Sequence, residues 1–145
     1  MNIDKILIVA DDSPPSIKAI QYGFSLARDL RAGIVLLSII EPTSAIGNVD
    51  AGIFPDDALI TAKSNTENFL GRIKNEYGSG MDVELITSEG DIQSIVIDAA
   101  IQIKANLIVT GTHNRIGLNK LFNGSVAESI IHHSPVPVCV VPMGK

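Results

Sequence analysis

Two adjacent acidic residues follow the first apolar segment of the chain, in the stretch KILIVADDSPPS. Two unrelated kinds of α/β protein carry an acid at the end of the first strand. A phosphorylated receiver domain uses an acidic pair there to hold Mg²⁺, whereas a nucleotide-binding domain uses one acid to orient a ribose or a metal–phosphate group. Asp11 is therefore a candidate ligand-binding carboxylate, and we expect Asp12 to cap the following helix together with Ser13.

A second set of candidates lies near the C-terminus, in VTGTHNRIGLNKLFNGSVAESIIHH. A phosphate chain needs backbone N–H groups turned toward it and no Cβ atom in the way, which favours glycine. Gly124 and Ser125 stand where the last predicted helix begins, so their N–H groups and the positive helix end would face an anion. Structural alternatives remain open. Ser125 and Glu128 match the Ser-x-x-Glu capping box, and Gly111 also suits a simple turn at a strand end.

The histidines and the cysteine give weaker chemical signals. His113 lies in the same loop, but no nucleophile, paired carboxylate or metal-ligand cluster accompanies it in the sequence, so we expect no general-base role and no metal site. His132 and His133 lie at a predicted helix C-terminus, where positive charge is favourable. Cys139 lies among valines and is expected to be an inert core residue.

Length and composition bound the function classes. The 145 residues, with 46% hydrophobic and 19% charged, predict one globular domain over 1–145. A net charge of −5 argues against a nucleic-acid partner, and no Arg/Lys run suits a membrane surface. No apolar run approaches the roughly 20 residues of a membrane span, and the N-terminus does not resemble a signal peptide. The single cysteine excludes an internal disulfide, which favours a cytoplasmic location.

The elements that position these residues alternate between strand and helix along the chain. Continuous or alternating apolar runs predict five strands, at Lys5–Ala10, Gly33–Ile40, 81–87, 106–112 and 136–141. Helical spacing predicts helices from Ser13 onward and at about Asp57–Tyr77, Asp91–Lys104 and Ser125–His133. A long loop, about Glu41–Pro55, carries no clear period.

This alternation predicts an α/β fold with an open, doubly wound, five-stranded parallel sheet and helices on both faces. The two most apolar strands, the first and the fourth, should be central, which the order 3-2-1-4-5 satisfies. The topological switch then falls between strands 1 and 4, and ligands bind outside the carboxyl ends of the strands at such a point. We therefore expect the Asp11 turn and the loop after Gly111 to face one crevice.

The sequence argues against a receiver domain. A receiver needs a phosphorylatable aspartate at the end of the third strand and a lysine after a later strand. Asp50 is the only candidate near the usual spacing, and no strand-like run precedes it. The third strand runs into Glu89 and Asp91, and the fourth strand is followed by no lysine at the required place.

The C-terminal stretch resembles the universal stress protein family. Nucleotide-binding members show a glycine, two residues, a second glycine, nine residues, and then Gly-Ser or Gly-Thr. Here Gly111 is the first glycine, Asn114 replaces the second, and Gly124 with Ser125 complete the pattern. The segments NRIGL, GSVAESII and SPVPVCVV also resemble the family, as does ILIVADDSPPSIKA with Asp11 at the acidic position. Asparagine adopts left-handed conformations more readily than other non-glycine residues, so Asn114 is compatible with the bend.

The resemblance implies an adenine nucleotide, ATP or AMP or ADP and possibly with Mg²⁺, bound at the carboxyl ends of strands 1 and 4. The implied nucleotide-binding residues are Ala10, Asp11, Ile39, Gly111, Asn114, Arg115, Gly124, Ser125 and Val126. Ile39 would contact the purine, although a core isoleucine explains it too. Arg115 would help to neutralise phosphates, although a solvated surface arginine is an equally good explanation.

Two function classes follow from the resemblance. The first is a stress-response or regulatory module that binds a nucleotide, with at most slow ATP hydrolysis. The second is a dimeric interaction protein of the same fold that binds no nucleotide. The fifth strand, Val136 to Val141, would be an apolar sheet edge blunted by Pro137 and Pro142, which is a pairing hazard when exposed. We therefore expect a homodimer through this strand.

Overall fold

The fold is a five-stranded parallel sheet in the order β3-β2-β1-β4-β5, as the sequence predicts. The computed structural model describes residues 1–41, 55–112 and 125–144. The strands are β1 (Lys5–Val9), β2 (Gly33–Ile40), β3 (Val83–Glu89), β4 (Leu107–Gly111) and β5 (Val138–Val141). The described helices are α1 (Pro14–Leu30), α2 (Pro55–Tyr77), α3 (Ile92–Gln102) and α4 (Ser125–His133).

Strand β1 lies at the centre of the sheet, between β2 and β4. Leu7 pairs with Val35 on one side and with Ile108 on the other. The chain passes from β1 to β2 in one direction and returns to β4 on the other side, so the topological switch lies between β1 and β4. In an open α/β sheet, ligands bind at the carboxyl ends of the strands at this point.

Two apolar layers cover the sheet, because side chains alternate between its faces along each strand. One layer joins Ile6 and Ile8 of β1 to α1 and α2 through Phe24 and Leu70, all at most 1% exposed. The other joins Leu7 and its neighbours to α3 and α4. The near-continuous apolar runs in the first, second and fourth strands are explained by this two-sided covering.

Local signals explain where α1 begins and ends. Ser13 is the N-cap, and Pro14 and Pro15 occupy the first two helical positions, which tolerate the missing N–H group. The helix ends at Arg31, which adopts the left-handed conformation with φ 56°, and its N–H donates to the carbonyl oxygens of Ala27 and Arg28. This C-terminal cap turns the chain directly into β2.

Several boundaries differ from the sequence prediction by one or two residues. Strand β5 begins at Val138 and not at Val136, since Pro137 cannot donate to the ladder, although its carbonyl oxygen still accepts from the Ile108 N–H at 3.0 Å. Helix α2 begins at Pro55, and β3 covers Val83–Glu89 and not 81–87. Most of the predicted loop before α2, residues 42–54, lies outside the described residues.

The amino end of the sheet is tied by Asn106, which precedes β4. Its side-chain oxygen accepts hydrogen bonds from the backbone N–H groups of Asp4 and Lys5, both at 2.9 Å. The backbone N–H of Asn106 donates to the Lys5 carbonyl oxygen at 2.9 Å. One side chain thus fixes the starts of the two central strands relative to each other.

Across the three described stretches, no helix combines the length and apolarity needed to cross a bilayer.

Candidate functional site

The candidate site lies at the carboxyl ends of β1 and β4. These strands are hydrogen-bonded neighbours, so the residues that follow them, Asp11 and Thr112, begin their loops at the same edge of the sheet. Helices α1 and α4 both start at this edge, since each follows one of the two strands. The topology therefore brings together the two segments that the sequence analysis selected.

Asp11 is held in a tight turn by two serines. Its Oδ1 accepts the Ser13 N–H at 2.8 Å and also accepts the Ser13 hydroxyl. Its own N–H donates to the Ser16 Oγ at 2.8 Å. The prediction paired Ser13 with Asp12 as the helix cap. In the structure Ser13 is the N-cap, as expected, and the Asp11 carboxylate is hydrogen-bonded to it.

The first turn of α1 presents no open backbone donor to an anion. Pro14 and Pro15 have no N–H group, the Ser16 N–H points to the Ser13 Oγ at 3.4 Å, and the Ile17 N–H donates to the Ser13 carbonyl oxygen at 2.9 Å. The usual attraction of a helix N-terminus for phosphate depends on free N–H groups. The β1 side of the crevice thus has an acid and no donor that could receive a phosphate from this helix.

Gly111 makes the close contact between the two halves of the site. A Cβ atom on this residue would lie 2.8 Å from the Pro15 carbonyl oxygen and 3.5 Å from the Ser16 nitrogen. Its φ lies outside the left-handed region, so the requirement is for space. The glycine allows the end of β4 to touch the first turn of α1, which is a structural reason for its presence that does not involve a ligand.

Buried polar side chains concentrate at this edge of the sheet. In the described part of the chain, the buried polar residues are Ser13, Ser16, Ser38 and Thr110, each at most 5% exposed. The first two lie at the start of α1, and the others lie near the carboxyl ends of β2 and β4. Burying a hydroxyl in an apolar core is unfavourable unless it is hydrogen-bonded, so polar groups confined to one edge mark a region that differs from the rest of the core.

Three further predicted residues lie at the same edge and pack in the core. Ala10 is 3% exposed, and its N–H donates to the Leu37 carbonyl oxygen at 2.8 Å, which extends the β1–β2 pairing. Ile39 is 7% exposed and belongs to the apolar layer under α3 and α4, and Val126 of α4 packs against that layer. The structure thus gives Ile39 the core role that the sequence analysis left open.

The side chains of four predicted nucleotide-binding residues, Asn114, Arg115, Gly124 and Ser125, are not described. Asn114, Arg115 and Gly124 lie outside the described residues, as does His113, and Ser125 is described only as the first residue of α4. Within the described ranges, no group of three or more His, Cys, Asp or Glu side chains is arranged to hold a metal ion.

The remaining candidates have local contacts. His132 Nε2 lies 3.8 Å from Glu128 Oε1 one turn earlier in α4, and both side chains are mostly exposed. His133 Nδ1 lies 2.9 Å from the Ser129 carbonyl oxygen, so a proton on that nitrogen completes a hydrogen bond at the helix end. Cys139 is only partly buried, and desolvation raises the pKa of its thiol.

The sequence analysis missed the roles of Ser16, Ser38 and Thr110. The signal for Ser16 was present, because serines at Ser13 and Ser16 stand at the N-cap and N3 positions around two prolines. Ser38 and Thr110 are the only hydroxyl-bearing residues in the runs GIVLLSII and LIVTG. A lone hydroxyl in an apolar strand marks a candidate site residue, but the sequence does not show whether it is buried.

Known proteins with the same architecture are numerous. Hypothetical protein MJ0577 has a solved structure that matches with a TM-score of 0.84 and 23% identity, covering 100% of this chain and 99% of that one. A universal stress protein from Archaeoglobus fulgidus in complex with dAMP matches at 0.66 and 20%, covering 97% and 98%. A universal stress protein in complex with cAMP matches at 0.68 and 18%, covering 99% and 100%.

Sequence comparison gives the family directly. Universal stress protein MJ0531 of Methanocaldococcus jannaschii is 29% identical over 146 aligned positions, which cover 97% of this chain and 83% of that protein. The stress response protein NhaX of Bacillus subtilis is 27% identical, with 95% of this chain and 97% of that protein covered. The model of the universal stress protein family matches residues 2–142, and the chain therefore belongs to that family.

Proposed function

We propose that this protein binds an adenine nucleotide at the carboxyl ends of β1 and β4 and acts as a stress-response or regulatory module. The observation that carries the proposal is the close approach of the end of β4, at Gly111, to the first turn of α1, which follows Asp11 at the topological switch. Crevices at such points are the usual ligand sites of open α/β sheets.

Charge and donors suggest how the ligand lies. Asp11 would accept a hydrogen bond from the nucleoside, since a carboxylate repels phosphate and the first turn of α1 has no open donor. The phosphates would then lie toward the start of α4, where Gly124, Ser125 and Val126 supply N–H groups and the positive end of the helix dipole. Asn114 and Arg115 would complete the proposed phosphate side, and Ala10 and Ile39, which belong to opposite apolar layers, would line the nucleoside side.

Two solved relatives support the ligand class. One universal stress protein was solved with cAMP and another with dAMP. Both ligands combine adenine, a sugar and one phosphate, and they differ in the sugar hydroxyls and in the cyclisation of the phosphate. We therefore propose an adenine nucleotide for this chain, with ATP, ADP and AMP as the candidates and Mg²⁺ as a partner of the longer phosphates.

Isothermal titration with AMP and with ATP-Mg²⁺ tests this proposal. We expect a dissociation constant on the order of 1–100 μM. Asp11→Ala should raise this dissociation constant by about tenfold or more. Asp29→Ala is the matched control, because it removes the same charge from an exposed position in the last turn of α1, at the opposite end of the sheet. Absence of heat with either nucleotide at millimolar concentration, and no nucleotide released from freshly purified protein in mass spectrometry, would reject the function.

We further propose that two copies associate through β5 in the cytoplasm, where the single Cys139 stays reduced. Among the described residues β5 pairs with β4 alone and lies at the sheet edge, and its residues Val138 and Val140 are only partly buried. An apolar edge strand is a pairing surface unless it is covered. Pro137 and Pro142 flank the strand and would restrict the pairing to its four residues.

Light scattering at micromolar concentration tests the association. We expect about twice the single-chain mass, and monomer after Val140→Lys, since a charge would then have to be buried in the pairing surface. Glu84→Lys on the opposite edge strand, β3, is the matched control and should leave the mass unchanged. A single-chain mass for the unsubstituted protein would reject the dimer and leave the nucleotide site untouched.

A further inference from the structure

We propose that Ser13 is a positioning residue, which holds the Asp11 carboxylate in the orientation that receives the nucleoside end of the ligand. The inference rests on the proposed nucleotide site and assigns a role to a side chain that does not itself belong to that site. Its starting observation is that both donors of Ser13, the N–H and the hydroxyl, reach the same Asp11 oxygen. Two hydrogen bonds to one carboxylate oxygen allow a single side-chain rotamer.

Ser13 combines this role with helix capping, since a hydroxyl can donate its proton to one group while its oxygen accepts from another. A capping serine accepts a backbone N–H from the first turn, typically at about 2.9–3.0 Å. The Ser13 Oγ accepts from the Ser16 N–H at 3.4 Å, at the outer limit of a hydrogen bond, and its own proton is donated to Asp11 Oδ1. The hydroxyl proton therefore serves the carboxylate, while the oxygen remains the cap acceptor of the helix.

The surroundings restrict the motion of this arrangement. Ser13 is 2% exposed and Ser16 is fully buried, whereas Asp11 is partly exposed, so the serine ends of these contacts are shielded from water. Ser16 holds the turn from the other side, since its Oγ accepts the Asp11 N–H at 2.8 Å. Pro14 and Pro15 fix φ at the next two positions, which removes the local freedom by which the turn could open.

A fixed carboxylate binds better than a mobile one. Ordering a mobile side chain when the ligand binds costs conformational entropy, which weakens binding. A side chain that is already held in place avoids this cost. Removing the Ser13 hydroxyl should therefore weaken nucleotide binding by roughly two- to tenfold. The part of the loss that reflects positioning should depend on Asp11, because the Ser13 hydroxyl donates to that carboxylate.

The test is a double-mutant cycle read by isothermal titration with AMP, taken to millimolar ligand so that weak variants remain measurable. The variants are Ser13→Gly, Asp11→Ala and the pair. Glycine is an acceptable N-cap, so α1 should persist. We expect the loss caused by S13G to disappear in the D11A background. Ser13→Thr keeps the hydroxyl and should restore affinity.

A control and a second variant complete the design. Asp91→Gly makes the same N-cap change in α3, where Asp91 Oδ2 accepts from the Ser94 N–H and hydroxyl, both at 3.0 Å, and it should leave AMP binding unchanged. Ser13→Cys replaces S13G should that variant fail to fold. If AMP binding by D11A is too weak to measure, the AMP affinities of S13G, S13T and D91G test the positioning role. Positioning predicts a loss in S13G that S13T and D91G do not share.

The outcomes separate this inference from the function on which it rests. Equal losses from S13G with and without the Asp11 carboxylate, or no loss at all, overturn the positioning role and leave the nucleotide site standing. A loss shared by D91G assigns the effect to helix stability and also overturns it. No AMP or ATP binding by the unsubstituted protein overturns both proposals together.

Discussion

Replacing Gly111 by alanine should separate the structural role of this residue from a role in ligand binding. The added Cβ would meet backbone atoms, the Pro15 carbonyl oxygen at 2.8 Å and its carbon at 3.1 Å. Backbone in the first turn of a helix cannot move aside as the end of a flexible side chain can. Either α1 shifts away from β4, or the strand end bends.

The magnitude follows from this contact. Overpacking in a tight core typically costs about 1–3 kcal/mol. For a chain of this size, each kcal/mol lowers the melting temperature by roughly 2–4 °C. We expect G111A to melt about 2–12 °C below the unsubstituted protein, in thermal unfolding followed by circular dichroism.

Gly71 supplies the matched control. It lies inside α2, and a Cβ there would meet no atom within 4 Å. Alanine is favoured over glycine in a helix interior by about 0.5–1 kcal/mol, so G71A should raise the melting temperature. The two alanine substitutions are therefore expected to have opposite signs.

The melting temperature and the AMP affinity of G111A together test the packing argument. If G111A melts within error of the unsubstituted protein but no longer binds AMP, the glycine is needed for the ligand and not for the approach of α1 to β4. If G111A is destabilised and keeps its affinity at a temperature where it is folded, Gly111 serves the fold alone.

Other substitutions test the packing and the chemistry of the described residues. Asn106→Ala removes the acceptor shared by the N–H groups of Asp4 and Lys5 and should lower the free energy of unfolding by about 1–3 kcal/mol in urea denaturation; no change would show that water replaces it fully. Phe24→Ala, at a site 1% exposed, should cost about 3–5 kcal/mol in the same assay, and a cost below 1 kcal/mol would contradict its place in the core. Because burial raises the pKa of Cys139, its thiolate fraction at neutral pH is smaller than that of an ordinary cysteine, so alkylation should be slower than that of free cysteine and should accelerate as the pH rises; a rate equal to that of free cysteine would contradict this.

The sheet could be predicted from the sequence because its central strands are covered on both faces. KILIV and LIVTG are almost continuously apolar, and this pattern leaves few alternatives to a central parallel strand. The edge strands were harder, since β3 and β5 have less covering and their ends depend on pairing. The start of β5 at Val138 follows from the missing N–H of Pro137, which shortens the ladder without changing the apolar run.

The candidate site could be predicted only in part. Asp11 and Gly111 were selected by residue type and position, and the topology brings them to one edge as expected. The reason for Gly111 could not be predicted, because the atoms that exclude a Cβ belong to Pro15, which is remote in the sequence. The role of Ser13 also depends on a turn conformation, and residue types alone suggested Asp12 as its partner.

The two ends of the site differ in what they can bind, and this difference restricts the ligand. The β1 side has a fixed carboxylate, and the first N–H groups of α1 are absent or already bonded, so an anion gains nothing there. The β4 side leads toward the start of α4, whose first N–H groups would face the phosphate in the proposed site. A ligand that satisfies both must have a hydrogen-bond donor at one end and a negative charge at the other. A nucleotide meets this requirement, whereas inorganic phosphate or a free nucleoside satisfies only one half, so each should bind more weakly than AMP.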